Sequence, residues 1–287
     1  MTAYLFTLSF GIIAVQQAER QKTLHSVMQK ISVVIICKNE EEEIGRCLRS
    51  LEGLTDDIVV LDNGSVDDTK SIVRKAGARL IEGHWEGFGR TKNRATSLAK
   101  HNWILNLDAD ESIDQELKRA LSDLELSNEG EVFEIKFKNF LGNKYLRFGE
   151  WGNDKHIRLF NRNKVRWNDA RVHEGLLLPP DIRVRAIKGF IIHYTVKNVA
   201  EFADKMLRYA LLNAEKYAEL GKKSSWINIY AGPLFSFIKY YIFKLGFLDG
   251  WAGWVCAKMT SYYTFVKYAR LLELSREKGI VSKQADD

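Results

Sequence analysis

The sequence predicts an α/β fold, with a mostly parallel sheet that carries helices on both faces. Three short apolar runs, at 31–37, 57–61 and 103–107, have the length and continuous apolar character of strands buried on both sides. Segments with helical spacing of apolar residues separate these runs. Strands that alternate with helices form right-handed βαβ units, so the strands lie parallel and their carboxyl ends share one edge of the sheet.

The elements of this first part follow in order along the chain. A helix is predicted at 43–51, where Ile44, Leu48 and Leu51 share one face and carboxylates occupy the first turn. The strand at 57–61 leads through a turn at 62–69 into a helix that reaches about residue 76. The pattern is completed by a strand at 79–81, a helix at 90–100, the strand at 103–107 and a helix near 113–124.

Beyond residue 130 the pattern changes. Residues 131–138 alternate apolar and polar side chains, as an exposed strand does. Short extended pieces follow around 144–149, 156–160, 164–167, 170–178 and 183–194, and a helix is predicted at 199–220. We therefore divide the chain into an N-terminal apolar segment (1–30), an α/β domain (31–197) and a C-terminal helical region (198–287).

The C-terminal region is both basic and aromatic. The net charge of +6 comes entirely from residues 222–270, where seven cations face Asp249 alone, and this stretch also holds 14 of the 33 aromatic residues. Trp and Tyr favour the membrane interface, and Lys and Arg attract anionic lipid. Because Lys239 and Lys244 interrupt the apolar run, we expect helices that lie in the interface rather than a spanning helix. The alternative is that the aromatic side chains pack on the α/β domain or on a second subunit.

Composition and cysteine usage are those of an ordinary globular protein. Hydrophobic residues make up 46% of the chain and charged residues 28%, which is enough for a buried core. Three scattered cysteines form neither a disulfide framework nor a zinc motif, and they indicate a reducing compartment. Residues 1–18 carry no charge, but the stretch is shorter than the roughly 20 apolar residues of a spanning helix. It is interpreted as an interfacial anchor, a weak signal sequence or an over-long start.

Two carboxylates, Asp108 and Asp110, follow the apolar strand at 103–107. Their spacing at a strand end lets both side chains reach one ligand. Hard cations such as Mg²⁺ and Mn²⁺ prefer oxygen ligands, which carboxylates, a diphosphate and water supply. The pair therefore predicts a metal site. The alternative is that Asp110 or Ser112 merely caps the helix near residue 113.

Polar stretches also follow the first two strands. Lys38-Asn39-Glu40 comes after the first strand, and Asp62-Asn63 ends the second. In doubly wound sheets, ligands bind beyond the carboxyl ends of the strands, where a carboxylate such as Asp62 can accept from a base N–H or a ribose hydroxyl. The alternative is a β-turn at Asn63-Gly64 with helix capping at Ser65.

The chain resembles glycosyltransferase family 2 in four motifs that occur in the family's order: Ile31-Ser-Val-Val-Ile-Ile-Cys-Lys-Asn-Glu40, Asp62-x-Gly-Ser-x-Asp-x-Thr69, Lys92-Asn-Arg94 and Leu107-Asp-Ala-Asp-Glu111. The resemblance is strong over 31–111 and weaker through Arg158-Leu-Phe160, Val172-His-Glu174 and Gly246-Phe-Leu-Asp-Gly250. With Trp85-x-Gly-Phe-Gly89, these later pieces resemble the branch of lipopolysaccharide core β-1,4-glucosyltransferases. The family implies the GT-A fold, a Rossmann-like, mostly parallel sheet with flanking helices, here followed by the aromatic and basic helical segment.

The resemblance implies a nucleotide-sugar site at the first two strand ends. Asn39 and Glu40 would line the nucleotide site, and Asp62 would hold the uracil or the ribose of a UDP-sugar. Lys92 and Arg94 would lie near the diphosphate, where cations offset phosphate charge.

The resemblance also implies a metal-dependent reaction. Asp108 would bind the ribose and, directly or through water, a Mg²⁺ or Mn²⁺ ion, and Asp110 would ligate that ion. Enzymes of this family invert the anomeric centre in one displacement, in which the metal stabilises the departing UDP.

One displacement also needs a base that takes the proton of the acceptor hydroxyl. The resemblance gives this role to Glu174, and the alternative is that Glu174 pairs with Arg171 or another cation. Asp154 and Asp169 are the competing carboxylates.

Three other polar residues of this part of the chain have open roles. His156 and His193 are interpreted as structural histidines, although His193 lies near the end of a predicted strand and could approach the diphosphate. Arg158 could serve a phosphate of the donor or of the acceptor.

These observations predict a metal-dependent, inverting hexosyltransferase that moves a hexose, glucose in the first instance, from a UDP-sugar to a lipopolysaccharide inner-core heptose. Because nucleotide-sugars are cytosolic, we expect a cytoplasmic enzyme, peripheral on the inner face of the cytoplasmic membrane, with a lipid-anchored glycan acceptor and an anionic membrane surface as partners. No recognised nucleic-acid motif accompanies the basic region, so we expect no nucleic-acid partner.

Other functions remain open on the sequence. One is a family 2 transferase acting on a polyprenyl phosphate or on a capsule or teichoic acid precursor. Another is a nucleotidyltransferase of similar fold, and a third is a non-catalytic, membrane-associated module that binds nucleotide-sugars.

Overall fold

A computed structural model of the chain describes residues 30–169 and 175–285, with side chains as far as residue 277. The predicted N-terminal segment lies outside the described residues except for Lys30. The first part of the chain alternates strands and helices as predicted: β1 (Ile31–Cys37), α1 (Ile44–Ser50), β2 (Asp57–Asp62), α2 (Thr69–Lys75), β3 (Arg79–Glu82), α3 (Phe88–Ser97) and β4 (Trp103–Asp108).

The second part adds further strands and then a group of helices. The elements are β5 (Glu111–Ile113), α4 (Gln115–Ser122), β6 (Glu131–Leu141), β7 (Lys144–Tyr145), β8 (Lys155–Asn161), β9 (Arg166–Trp167), β10 (Leu176–Leu177), β11 (Arg183–Val196), α5 (Val199–Glu219), α6 (Trp226–Ile238) and α7 (Gly250–Ala285). A π-helical turn (Lys239–Phe243) and a 3₁₀ turn (Gly246–Asp249) connect α6 to α7.

One nine-stranded sheet organises the described residues, in the order β3-β2-β1-β4-β8-β6-β11-β5, with β7 paired to β6. Strands β3, β2, β1 and β4 are parallel. Strand β8 is antiparallel to both β4 and β6, while β11 is parallel to β6 and antiparallel to β5. The predicted α/β class is confirmed, with a mixed sheet whose four-stranded parallel half carries the predicted ligand-binding edge.

Strand β1 lies at the centre of the core because helices cover both of its faces. All seven of its residues are buried. Val33 and Ile35 pack with α1 on one face, and Val34 packs with Ala95 of α3 on the other. Burying a side chain of this kind stabilises the fold by roughly 1.5–3 kcal/mol. The end of β1 is therefore a rigid platform for the loops that follow it.

Two predicted helices have different limits in the structure. The helix predicted at 90–100 begins at Phe88 and ends at Ser97. The helix predicted near 113–124 begins only at Gln115, because the residues before it pair with β11 as strand β5. Its N-cap is Asp114, whose side chain accepts a hydrogen bond from the Leu117 N–H. Capping therefore does not explain Asp110 or Ser112.

Helices α5, α6 and α7 form a unit in which α7 packs against both of the others. A buried cluster that includes Leu146, Val196, Phe202 and Ala252 joins this unit to the sheet. None of the helices in the described part of the chain combines the length and the apolar character needed to cross a membrane.

Candidate active site

The register of the parallel strands brings the predicted residues to one edge of the sheet. Cys37, the last residue of β1, pairs with Asp62 at the end of β2. Ile36 of β1 pairs with Asp108 at the end of β4 on the opposite side. Asp62 and Asp108 therefore flank the end of β1, and the loop after β1 lies between them.

Hydrogen bonds tie the loop after β1 to the loop after β2. Asn39 has a backbone φ of 57°, a left-handed conformation that is uncommon outside glycine. Its N–H donates to Ser65 Oγ at 2.8 Å, and its side-chain oxygen accepts from the Val66 N–H at 2.9 Å. The Glu40 N–H donates to Thr69 Oγ1 at 2.8 Å. Asn39 and Glu40 thus lie beside the turn that begins at Asp62.

The Asp62 carboxylate accepts hydrogen bonds from the backbone of the turn that follows it. It is completely buried and accepts from the N–H groups of Gly64 at 3.1 Å and Ser65 at 3.0 Å, with Lys70 Nζ 3.7 Å away. The neighbouring Asn63 is also buried, and its Oδ1 has no hydrogen-bond partner among the described residues. An orphaned buried acceptor is costly unless a ligand satisfies it. Asn63, which the sequence placed at this strand end and in its turn, therefore has a buried acceptor atom without a partner among the described residues.

Helix α3 brings Lys92, but not Arg94, to the end of β4. Lys92 is buried, with its Nζ 3.3 Å from Asp108 Oδ1 and 4.7 Å from the centre of the Trp167 ring. Arg94 lies farther along the helix and pairs with Glu86 at 3.2 Å. Of the two predicted diphosphate ligands, only Lys92 contacts the acidic pair.

Asp108 lies between two cations. Arg158 of β8 donates to Asp108 Oδ2 at 3.2 Å and to the buried carboxylate of Glu111 at 2.5 Å. Burial alone would raise the pKa of Asp108, but the positive charges of Lys92 and Arg158 outweigh it and hold this pKa well below its usual value. Asp108 is therefore ionised at neutral pH. Arg158 acts here on carboxylates, whereas the sequence suggested that it contacts a phosphate.

Asp110 pairs with a histidine of β11, which is the third strand beyond β4 in the sheet. His193 Nε2 lies 3.1 Å from Asp110 Oδ2, and its Nδ1 lies 3.0 Å from the side-chain oxygen of Asn139. Burial would raise the pKa of Asp110, but the hydrogen bond and charge of His193 lower it below its usual value. The same pairing outweighs burial at His193 and raises its pKa. His193 is thus a member of the acidic site.

The acidic site extends to Glu40. Burial, followed by the negative charge of Asp110, raises the pKa of Glu40 to about 7. Carboxylates that repel one another in this way favour a cation between them. The loop after β1 therefore adds an acidic group to the end of β4.

The carboxylates at the end of β4 fit a divalent cation whose remaining ligands come from a substrate. The described side chains do not gather into a metal cluster of three or more ligands. Asp110 Oδ1, however, accepts no hydrogen bond from any described residue, and this side chain is 29% exposed. A Mg²⁺ ion in a nucleotide site is commonly held by one or two carboxylates and by phosphate oxygens. Asp108 and Asp110 would supply the protein part of such a set.

A cavity of about 460 Å³ opens beside Asp108 and Lys92. Its opposite wall comes from the C-terminal helices, with Tyr209 and Asn213 of α5 and Thr260 and Tyr263 of α7, and from the loop at Glu150 and Trp151. The sequence did not indicate these residues, because they lie far from the motifs along the chain. Their approach means that the helical unit completes the site.

The candidate bases are only partly described. Glu174 and Arg171 lie outside the described residues, and Asp169 is the last residue before that gap. Asp154 is engaged by His156 at 2.8 Å and by the side-chain amide of Asn139 at 3.0 Å. Glu150 lines the cavity and accepts a hydrogen bond from the Thr260 hydroxyl, while burial raises its pKa. Among the described carboxylates, Glu150 is therefore an additional candidate that the sequence did not suggest.

Acidic side chains, a buried lysine and a polar turn thus meet at the carboxyl ends of the parallel strands, where ligands bind in open α/β sheets. Residues 32–168 match the model of glycosyl transferase family 2. Over these residues the chain carries a family 2 glycosyltransferase domain, as its motifs predicted.

Similar proteins extend this likeness over most of the chain. An uncharacterised glycosyltransferase of Rickettsia typhi is 29% identical over 259 residues, covering 86% of this chain and 88% of its own length. The lipopolysaccharide core biosynthesis glycosyltransferase LpsC of Rhizobium meliloti is 27% identical over 250 residues, covering 85% and 92%.

A similarity to a solved structure is much more limited. Glucosyl-3-phosphoglycerate synthase of Mycobacterium tuberculosis, in complex with Mn²⁺ and UDP-glucose, is 29% identical with a TM-score of 0.31. The match covers 39% of this chain and 43% of the synthase, less than half of either. This likeness is too slight to define the ligands of the chain.

Proposed function

We propose that the chain transfers a hexose, glucose in the first instance, from a UDP-sugar to an inner-core heptose of lipopolysaccharide, with inversion at the anomeric carbon. The observation that carries this proposal is that Asp108, the first carboxylate of the Asp108-Ala-Asp110 motif, pairs with Lys92 in the wall of a cavity that the C-terminal helices also line. The similarity to LpsC over most of both chains supports a core glycan as acceptor.

The nucleotide is assigned to the loops after β1 and β2. Asn39 and Glu40 line this part of the site, and Asp62 holds the turn. The free Oδ1 of Asn63 is suited to accept from the N–H of a uracil. Lys92 is assigned to the diphosphate, since a buried lysine next to carboxylates can offset phosphate charge as the substrate enters. Arg94 is assigned a place farther out, because Glu86 holds it.

A Mg²⁺ or Mn²⁺ ion is assigned to Asp110 and Asp108, with His193 next to them. When bound, such an ion stabilises the negative charge that develops on the departing UDP. The protein itself keeps Asp108 and Asp110 ionised, through Lys92, Arg158 and His193, so the pair is ready for a cation.

The acceptor hydroxyl requires a carboxylate base. Glu174 remains our assignment, from its place in the Val172-His-Glu174 motif. Glu150 is the alternative, because it lines the cavity next to Asp108 and is held by Thr260. The variants Glu174→Gln and Glu150→Gln distinguish them. The variant that lacks the true base should have a kcat lower by roughly 100-fold or more and an unchanged KM for the UDP-sugar.

The acceptor is placed at an anionic membrane surface, on which the enzyme acts from the cytoplasmic side. An apolar surface on α6, the following turns and α7 exposes large side chains: Trp226, Ile227, Tyr230, Leu234, Phe235, Ile242, Phe243, Leu245, Phe247, Leu248, Trp251, Trp254, Tyr262 and Phe265. Charge favours an anionic partner, because the only acid within 222–270, Asp249, is buried. Interfacial aromatic residues with neighbouring lysines are typical of peripheral binding.

The membrane assignment is tested by co-sedimentation with phosphatidylglycerol vesicles. The double variant Phe243→Ser/Trp251→Ser should lose most of its vesicle binding, because both side chains belong to the apolar surface and are more than half exposed. The control is Val184→Ser on β11, which removes a half-exposed apolar side chain from another part of the molecule. Unchanged pelleting of the double variant would contradict the assignment.

The enzymatic assignment is tested by UDP release over a panel of UDP-sugars. The acceptors are truncated core glycolipids, a polyprenyl phosphate and a capsule precursor. Release that depends on UDP-glucose, on a core glycolipid and on Mg²⁺ or Mn²⁺ supports the proposal. Release with the polyprenyl phosphate alone would identify the other acceptor class, and full activity in excess EDTA would contradict the metal assignment.

A further inference from the structure

We propose that a second cavity, lined by Arg147, Lys239 and Lys244, binds a phosphate group of the lipid-anchored acceptor while its sugar occupies the cavity beside Asp108. This basic cavity has a volume of about 380 Å³ and lies between the loop after β7 and the turns before α7. The proposal rests on the function proposed above and specifies the acceptor: a glycolipid whose glycan carries a phosphate.

The three cations of the basic cavity are not neutralised by the protein. Within residues 30–169 and 175–277, none of them forms an ion pair with a carboxylate within 4.0 Å, whereas Lys92 and Arg158 both do. Among the described residues that line the cavity, Glu150 is the one carboxylate, and its side chain is engaged by the Thr260 hydroxyl. Three cations against one carboxylate leave an excess of positive charge, which suits a phosphate that accepts several charge-assisted hydrogen bonds.

The backbone around the basic cavity is fixed before any ligand binds. The N–H groups of Arg147 and Phe148 donate to the buried carboxylate of Asp249, at 2.9 and 2.8 Å. The Gly149 N–H donates to the Lys244 carbonyl at 2.9 Å. These bonds clamp the loop that carries Arg147 onto the turn that carries Lys244. A preorganised site loses less entropy when its ligand binds.

The position of the basic cavity connects the membrane surface to the reaction site. Lys244 stands between Phe243 and Leu245, which are 73% and 43% exposed on the apolar surface. On the opposite side, Glu150 lines both the basic cavity and the cavity beside Asp108. A ligand that starts in the bilayer and ends near Asp108 therefore passes the three cations. An acceptor with a phosphate between its lipid and its reacting sugar fits this path.

The test compares one core glycolipid with its phosphatase-treated form. For the wild type, removing the phosphate should raise the acceptor KM roughly tenfold, the value of one charge-assisted hydrogen bond. The double variant Lys239→Met/Lys244→Met should bind both glycolipids with the KM that the wild type has for the phosphatase-treated form. Its kcat and its KM for the UDP-sugar should be unchanged. The control Lys75→Met removes an exposed lysine at the end of α2 and should discriminate like the wild type.

Two further measurements make the outcome decisive. Calorimetric titration with inorganic phosphate at low salt should give binding to the wild type and to Lys75→Met but not to the double variant, whether or not any acceptor is turned over. A double variant that still prefers the phosphorylated glycolipid overturns the proposal. A double variant that loses vesicle binding, with equal KM changes for both glycolipids, assigns the cations to lipid headgroups and also overturns it. An inactive wild type contradicts the proposed function instead.

Discussion

The Arg158→Met substitution removes the positive charge around which the buried part of the site is built. Arg158 is 7% exposed, and it lies 3.2 Å from Asp108 Oδ2 and 2.5 Å from Glu111 Oε1. Methionine keeps the apolar stem but has no donor. Asp108 would retain Lys92 at 3.3 Å, whereas Glu111 would retain, among the described residues, only the hydrogen bond from the N–H of Asp108. The variant therefore leaves a buried carboxylate without a cation.

The expected loss is large for a single substitution. Removing one partner of a buried ion pair costs about 3–5 kcal/mol. In a domain of this size, 1 kcal/mol changes Tm by roughly 2–4 °C, so Tm should fall by on the order of 10 °C. Thermal unfolding followed by far-ultraviolet circular dichroism measures this shift. The control is Arg185→Met, which breaks an exposed pair with Glu131 and should cost less than about 1 kcal/mol.

A second variant separates charge from packing. If the loss comes from the uncompensated carboxylate, adding Glu111→Gln to Arg158→Met should restore at least half of the lost Tm, because the charge that needed a partner is gone. Two results would refute this reasoning: an Arg158→Met variant that unfolds at the wild-type temperature, or a double variant that is less stable than the single one.

Three other changes test separate parts of the structure. Asp110→Ala should lower the transfer rate about 100-fold or more. Its Tm should change little, since the side chain is partly exposed and contacts the site rather than the core. Normal activity of this variant would exclude Asp110 as a metal ligand. Asp57→Asn should cost about 1.5–3 kcal/mol at pH 7, because Asp57 accepts from Ser32, Arg79 and the Lys100 N–H. Burial would raise the pKa of Asp57, but these bonds lower it, so the stabilisation is present above the usual carboxyl range. In urea titrations, the difference in unfolding free energy between wild type and Asp57→Asn should shrink as the pH falls through the lowered pKa. A difference that grows would contradict this prediction. Gly189→Ala should destabilise the fold by about 3 kcal/mol or more, since a Cβ there lies 2.1 Å from the Leu117 nitrogen. A Cβ at Gly53 meets open space, so Gly53→Ala should cost only about 1 kcal/mol for its positive φ. Equal unfolding midpoints for the two variants would refute the argument.

The parallel half of the fold was predictable because its signals are local. A run such as 31–37 is apolar at every position, which only a strand covered on both faces requires, and the structure has β1 with the same limits. The family motifs likewise lie at strand ends, where parallel register gathers them. The sequence therefore indicated the edge of the sheet on which Asp62 and Asp108 lie.

The remaining parts depend on contacts between residues far apart in the chain. His193 reaches Asp110 across 83 positions and Arg158 reaches Asp108 across 50, and neither partner is visible in a local pattern. The pattern predicts a helix that begins near residue 113, although residues 111–113 pair with β11 as strand β5. The wall at Thr260 and Tyr263 depends on how α7 packs, which helical periodicity alone does not determine.

Helix α7 has two sides with different surroundings. Thr260 and Tyr263 face the cavity beside Asp108, while Trp251, Trp254, Tyr262 and Phe265 are exposed. An α-helix with its side chains is roughly 10–12 Å thick. On the proposed membrane orientation, this thickness acts as a ruler: it sets how far above the lipid surface the sugar is added. Glycans whose reacting hydroxyl lies nearer the lipid, or much farther out, would then be rejected by height alone, before any contact with their individual hydroxyl groups.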